Sequence, residues 1–148
     1  MQVTFRKLAE QRCSYWVAVR GKRTVVPGTA MALGRGGIPH DLTQLVVEAA
    51  MGLPYGFWGC VAAGATFKST GRKRTKPGRA IIAQHQEELR QTELITGQQV
   101  ARWQAGHDTP VTRELGRMAS LWDGLDQHDE LVVDWPSLHA EIRTPARV

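Results

Sequence analysis

His40, Gln44 and Glu48 recur every four residues, so a helix would set them along one face, with Asp41 aligned one heptad before Glu48. An imidazole beside carboxylates is equipment for proton transfer: His40 as general acid or base, Asp41 or Glu48 as the group that orients it. The stretch before them, Gly34-Arg35-Gly36-Gly37-Ile38-Pro39, is a glycine loop running into a helix start. Such a loop presents free backbone N–H groups and a positive dipole end, which suits a phosphate or carboxylate, and Arg35 would add a forked charge. A small enzyme follows from this reading, an acid–base or metal-assisted hydrolase acting on an anionic substrate. The competing explanation is structural. Asp41 as an N-cap, with Gln44 three residues on, has the spacing of a capping box. The zinc-hydrolase arrangement needs a second histidine four residues after the first, with a glutamate between. His40-Asp41-Leu42-Thr43-Gln44 has neither, and His85, His107, His128 and His139 show no ligand spacing, so no metal and no cofactor is expected.

A second feature is electrostatic. Residues 68–79 hold six cations and no acid: Lys68, Arg72, Lys73, Arg74, Lys76 and Arg79. Clusters of this kind contact phosphates and give salt-dependent, sequence-blind affinity. The whole chain divides the same way. Residues 1–80 carry 13 Lys or Arg against 3 acids, and residues 81–148 carry 6 against 11, within a net charge of +5. A non-enzymatic binding domain follows from this, with nucleic acid or another acidic partner held on the basic N-terminal half. Its competitor is a solvated loop, with the two halves packing together and neutralising each other. Tyr15 and Trp16 would stack on bases if they were exposed, but strand aromatics belong more often to a core. No helix-turn-helix, zinc-finger or RNA-recognition signature accompanies the cations. Docking of a protein partner on a Trp-rich surface is a third reading.

Other chemistry is thin. Gly59-Cys60-Val61-Ala62-Ala63-Gly64-Ala65-Thr66 approaches a phosphate-binding loop, but Ala65 stands where the lysine is required. No nucleophile elbow occurs, and Cys60 lies in an apolar run where a thiol is inert packing. Pro39-His40-Asp41-Leu42, Val46-Val47-Glu48, Gly56-Phe57-Trp58-Gly59 and Ala62-Ala63-Gly64 together resemble a core shared by small uncharacterised actinobacterial proteins, in which a histidine often occupies the place of Gln44. The resemblance covers residues 38–67 and implies that this segment is the centre of such a family. It implies no activity.

The elements that must position these groups are legible in outline. Residues 2–8, 14–20 and 23–26 alternate or favour β structure, and Gly21-Lys22 between the last two is a hairpin signal, so a three-stranded antiparallel sheet is expected over 1–28. Leu42, Leu45, Val46, Ala49 and Ala50 give a helix over 40–51, stopped by Gly52-Leu53-Pro54. A short buried helix or core turn follows at 57–65, within a core helical segment at 39–66. The basic stretch at 67–79 reads as a loop, and helices follow over 79–125. One of them runs from Arg79 to Leu94 with a break at Thr96-Gly97. Another, capped by Thr109-Pro110, carries the stripe Val111, Leu115, Met118, Trp122 and Leu125. A single C-terminal strand closes the chain over 129–135, with a frayed tail beyond Ile142. The class is α+β, with four to five helices in one domain of 148 residues. No uninterrupted apolar run of membrane-spanning length occurs, no leader pattern opens the chain, and the two cysteines form no paired spacing. A bacterial cytoplasmic protein is the expectation.

Overall fold

The computed structural model describes residues 1–8, 12–26, 32–33, 37–70 and 73–146. β1 (Gln2–Lys7) pairs antiparallel on one side with β2 (Cys13–Val19), which turns through Arg20-Gly21 into β3 (Lys22–Val26). On its other side β1 pairs with β6 (Glu130–Asp134), and β6 with β7 (Ala140–Arg143), giving a five-stranded antiparallel sheet in the order β3-β2-β1-β6-β7. The three expected N-terminal strands and the C-terminal strand are therefore neighbours in one α+β sheet. A further edge strand, β7, which was not expected, ends one residue into the tail beyond Ile142. A short pair, β4 (Ala32–Leu33) and β5 (Ile38–Pro39), leads into the helices.

Alternation decides the buried face. Val3, Phe5, Cys13, Tyr15, Val17, Leu131 and Val133 point inward, and there they meet α1 (His40–Met51), α2 (Phe57–Ala62) and α5 (Pro110–Asp123) through Leu42, Leu45, Val46, Trp58, Leu115, Met118 and Trp122. Trp58 is fully buried at the centre, edge-on to Phe5 and Tyr15 at ring separations of 6.2 and 5.5 Å. α5 starts as its sequence requires. Thr109 accepts from the Thr112 N–H, the Thr112 hydroxyl accepts from the Thr109 N–H, and Pro110 fills the first turn.

Two boundaries differ from expectation. The basic stretch is not a loop throughout: a 3₁₀ turn covers Lys68–Thr70 and α3 (Lys76–Gln84) begins inside it, capped by the Thr75 hydroxyl. Thr66 fixes that start, its hydroxyl accepting from the Thr75 N–H while its side chain packs against Gly78. The helix break falls at His85 instead of Thr96-Gly97. His85 leaves helical geometry with φ −111° and ψ 21°, stacks on Tyr55 at 3.9 Å, and bonds Glu88 through Nδ1 at 2.7 Å. α4 (Gln86–Gln104) then continues straight through Thr96 and Gly97, where the Thr96 hydroxyl bonds the Thr92 carbonyl inside the helix. Among the described residues no helix is long and apolar enough to cross a membrane.

Two glycines separate packing from propensity. A Cβ at Gly59 would collide with the Pro54 backbone carbonyl, whereas one at Gly97 meets nothing within 4 Å. Urea unfolding followed by circular dichroism is expected to show Gly59→Ala losing at least about 2 kcal/mol. Gly97→Ala, in the interior of α4, is expected to gain about 1 kcal/mol.

Candidate functional site

α1 is held at both ends by unlike devices. Its start has no side-chain cap: Pro39 occupies the N-cap position, so Asp41 stands within the first turn and the capping box expected at Asp41 and Gln44 is not formed. Asp41 is engaged elsewhere. Its carboxylate accepts from the buried Tyr15 hydroxyl, and its backbone carbonyl accepts from the Trp58 indole at 2.9 Å. Burial, with the charge of Asp41 and this hydrogen bond adding to it, keeps the Tyr15 phenol well above its ordinary range.

Glu48, three turns into core packing, is fully buried. Its two oxygens accept the Trp58 N–H at 3.2 Å and the Gly59 N–H at 3.1 Å, so it caps the first turn of α2 from a neighbouring helix. Burial pushes the Glu48 carboxyl up to about 7, against the Gly59, Trp58 and Phe57 N–H groups and the Gln44 side chain, which all favour the ionised form. Gly56 leaves the room for this, since a Cβ there would strike the Glu48 carboxylate. Cys60 beside it is buried, its thiol pushed up to about 11 by that burial with Glu48 and Glu88 adding, in keeping with inert packing.

His40 and Asp41 open into a cleft of about 500 Å³. Tyr15, Gln44, Phe57 and Phe67 line one side, Ser69 of the 3₁₀ turn lines the rim, and Gln86, Leu89, Arg90 and Glu93 of α4 form the far wall. His40 Nδ1 lies 3.7 Å from Asp41 Oδ1. Contact with the Asp41 carboxylate raises the imidazole above its ordinary value, with burial opposing and the charges of Asp41 and Glu93 adding. Glu48 is not among the lining residues; it reaches the cleft only through Gln44. The expected trio thus divides into a pair in the cleft and a carboxylate committed to the fold. Arg35 lies outside the described residues. Among those that are described, no group of three or more His, Cys, Asp or Glu could hold a metal ion. The α4 wall was missed in the sequence although residues 86, 89, 90 and 93 share one helical face, because polar residues on a helix read as solvated surface.

The basic stretch is arranged differently. Lys68, Lys73, Arg74, Lys76 and Arg79 are all exposed, and none makes an ion pair among the described residues; Arg72 lies outside them. Four acids of the second half are paired locally, in Arg90–Glu87, Arg113–Asp108, Arg117–Glu114 and Arg143–Glu141. Arg6–Glu130 is the one described pair that joins the two halves, so direct neutralisation between them is slight. β3 packs against the 3₁₀ turn, which brings the exposed Lys22 and Arg23 toward the same side. Tyr15 belongs to the core, and Trp16 is covered by the guanidinium groups of Arg23 and Arg6 at 4.4 and 5.3 Å.

The Glu48 carboxyl sits above its ordinary value of 4.5 when folded, so the folded state binds more protons than the unfolded state between about pH 4.5 and 7. Its contribution is present below pH 4.5 and is lost as pH rises through 7. Glu48→Gln puts an amide group against backbone N–H donors and is expected to cost roughly 1–3 kcal/mol. That deficit is expected to narrow between pH 5 and 7.5, as ionisation destabilises the native protein alone. Urea titrations of both proteins at the two pH values check this; a deficit that widens with pH contradicts it.

No family model matches the chain, and no curated protein or solved structure matches it.

Proposed function

We propose that the protein is a non-enzymatic binding domain that contacts nucleic acid or another polyanion through its basic surface. The observation that carries this reading is the set of five exposed cations at residues 68, 73, 74, 76 and 79, none of which makes an ion pair among the described residues. Their placement supports it. Lys76 and Arg79 stand at the start of α3, whose first turn has no acid. A helix start carries a partial positive charge and favours acids, so cations there oppose local stability. α4 follows the usual rule, with Glu87 and Glu88 in its first turn and Arg102 in its last. Selection for helix stability accounts for α4 and not for α3. A polyanion laid across the start of α3 would meet side-chain cations and the helix dipole acting in the same direction. The enzyme reading keeps His40 and Asp41 in a cleft but loses Glu48 as the carboxylate beside them.

Titration of a labelled single-stranded oligonucleotide at 50 and 200 mM salt tests the proposal. Micromolar binding that weakens steeply with salt is expected. Lys73→Ala/Arg74→Ala/Arg79→Ala is expected to flatten the slope of log affinity against log salt by about one for each phosphate contact removed. Arg113→Ala, whose partner is Asp108, is expected to leave affinity and slope in place. Absence of binding at low salt, or binding that the triple substitution leaves unchanged, overturns the proposal.

A further inference from the structure

The cleft beside the 3₁₀ turn is the part of the molecule that the basic surface leaves without a role. Its rim and the cations are one piece of chain: Ser69 lines the cleft and Lys68 precedes it in the same turn. After α3 the chain returns through Gln86, Leu89, Arg90 and Glu93 to form the opposite wall. Whatever lies on the 3₁₀ turn at Lys68–Thr70 therefore lies beside the cleft.

The interior is unsuited to phosphate. Asp41 and Glu93 bring negative charge, Arg90 is held by Glu87 at 2.5 Å, and the positive contribution of His40 is tied to Asp41. What the interior offers instead is flat apolar surface with polar edges. Phe57 and Phe67 stand 4.8 Å apart with tilted rings, and Leu89 faces them from α4. Around them are the His40 imidazole, the Gln86 amide, the Glu93 carboxylate and the Ser69 hydroxyl. Gln44, itself buried, adds a side-chain amide to the lining. An aromatic surface combined with donors and acceptors suits a planar heteroaromatic ring, stacked on one face and bonded at its edges. A volume near 500 Å³ lies within the range of small-ligand clefts and admits an unstacked base with its sugar.

We infer that the cleft receives one unstacked base of a single-stranded nucleic acid whose phosphates lie on the 3₁₀ turn and the start of α3. This inference rests on the polyanion reading and adds to it a preference for single strands. In a duplex the base is stacked and paired, and extracting it costs a few kcal/mol. Charge sorts the ligand: cations outside take the backbone, while a ring-lined interior that repels phosphate takes the base.

The test uses the unmodified protein and three labelled probes: a single-stranded DNA 12-mer of mixed sequence, an abasic strand of the same length and charge, and the 12-mer annealed to its complement. The base-bearing strand is expected to bind about tenfold tighter than the abasic strand, and tighter than the duplex. Gln86→Ala/Leu89→Ala changes two uncharged positions on the α4 wall of the cleft and is expected to reduce that advantage severalfold while abasic affinity stays level. Equal binding of base-bearing and abasic strands overturns the inference and leaves the polyanion reading standing. An advantage that survives the double substitution intact places the base elsewhere and also overturns it. Failure of all three probes to bind at low salt overturns the polyanion reading and this inference together.

Discussion

A carboxylate with no access to water holds the centre of this molecule together. Glu48 belongs to α1, yet both of its oxygens serve the backbone at the start of α2. An isolated ion in such a place would be costly, and the hydrogen bonds of Trp58, Gly59 and Gln44 make the cost tolerable. Further placements follow from the contact. It fixes α2 against α1, and α2 carries Trp58 into the space between α1 and the sheet. The Trp58 indole then bonds the Asp41 carbonyl, tying the first turn of α1 to the same centre. His40 and Asp41 owe their position in the cleft to a residue that does not line it.

Local signals were read well where one element decided its own fate. The β2–β3 hairpin, whose turn falls at Arg20-Gly21, one residue before the Gly21-Lys22 signal, the Gly52 stop of α1 with φ 64°, and the Thr109-Pro110 start of α5 are each settled within a few residues. Contacts between distant segments were not legible. Asp41 has the spacing of a cap, but Tyr15 and Trp58 claim its carboxylate and carbonyl from other elements. His85 carries no helix-breaking residue type, and its break comes from stacking on Tyr55 thirty positions earlier. Thr96-Gly97 looks like a stop, yet the Thr96 hydroxyl finds a carbonyl within its own helix and Gly97 merely weakens the turn. Glu48 shows the limit most plainly. Its spacing from His40 is correct for a shared face, and spacing says nothing about which neighbour has already taken the oxygens.

The candidate site divides in the same way. Its cations are a compositional fact and are plain in the sequence; their freedom from partners is a tertiary fact. A charge split of this size is compatible with a molecule that neutralises itself across its halves. In this chain four arginines of the acidic half, Arg90, Arg113, Arg117 and Arg143, are paired with acids two to five residues away. Short-range pairing on helices is entropically cheaper than pairing across the molecule, because a helix already fixes the separation. Lys68, Lys73, Arg74, Lys76 and Arg79 make no such pair among the described residues, so their charge stays unspent.

That unspent charge meets a helix start that ought to repel it. Thr75 caps α3 in the ordinary way, and Thr66 and Gly78 seat the cap against the body of the protein. The helix is anchored by these contacts, so it can tolerate Lys76 and Arg79 near its positive end. A cap worth about 1 kcal/mol is comparable to the penalty of cations in the first turn, which is roughly 0.3–1 kcal/mol each. Local rules that conflict with a well-anchored frame tend to mark places where sequence answers to something other than stability. Here the frame is the Thr66–Gly78 contact, and what it carries is a cluster of cations presented to solvent beside the mouth of a cleft.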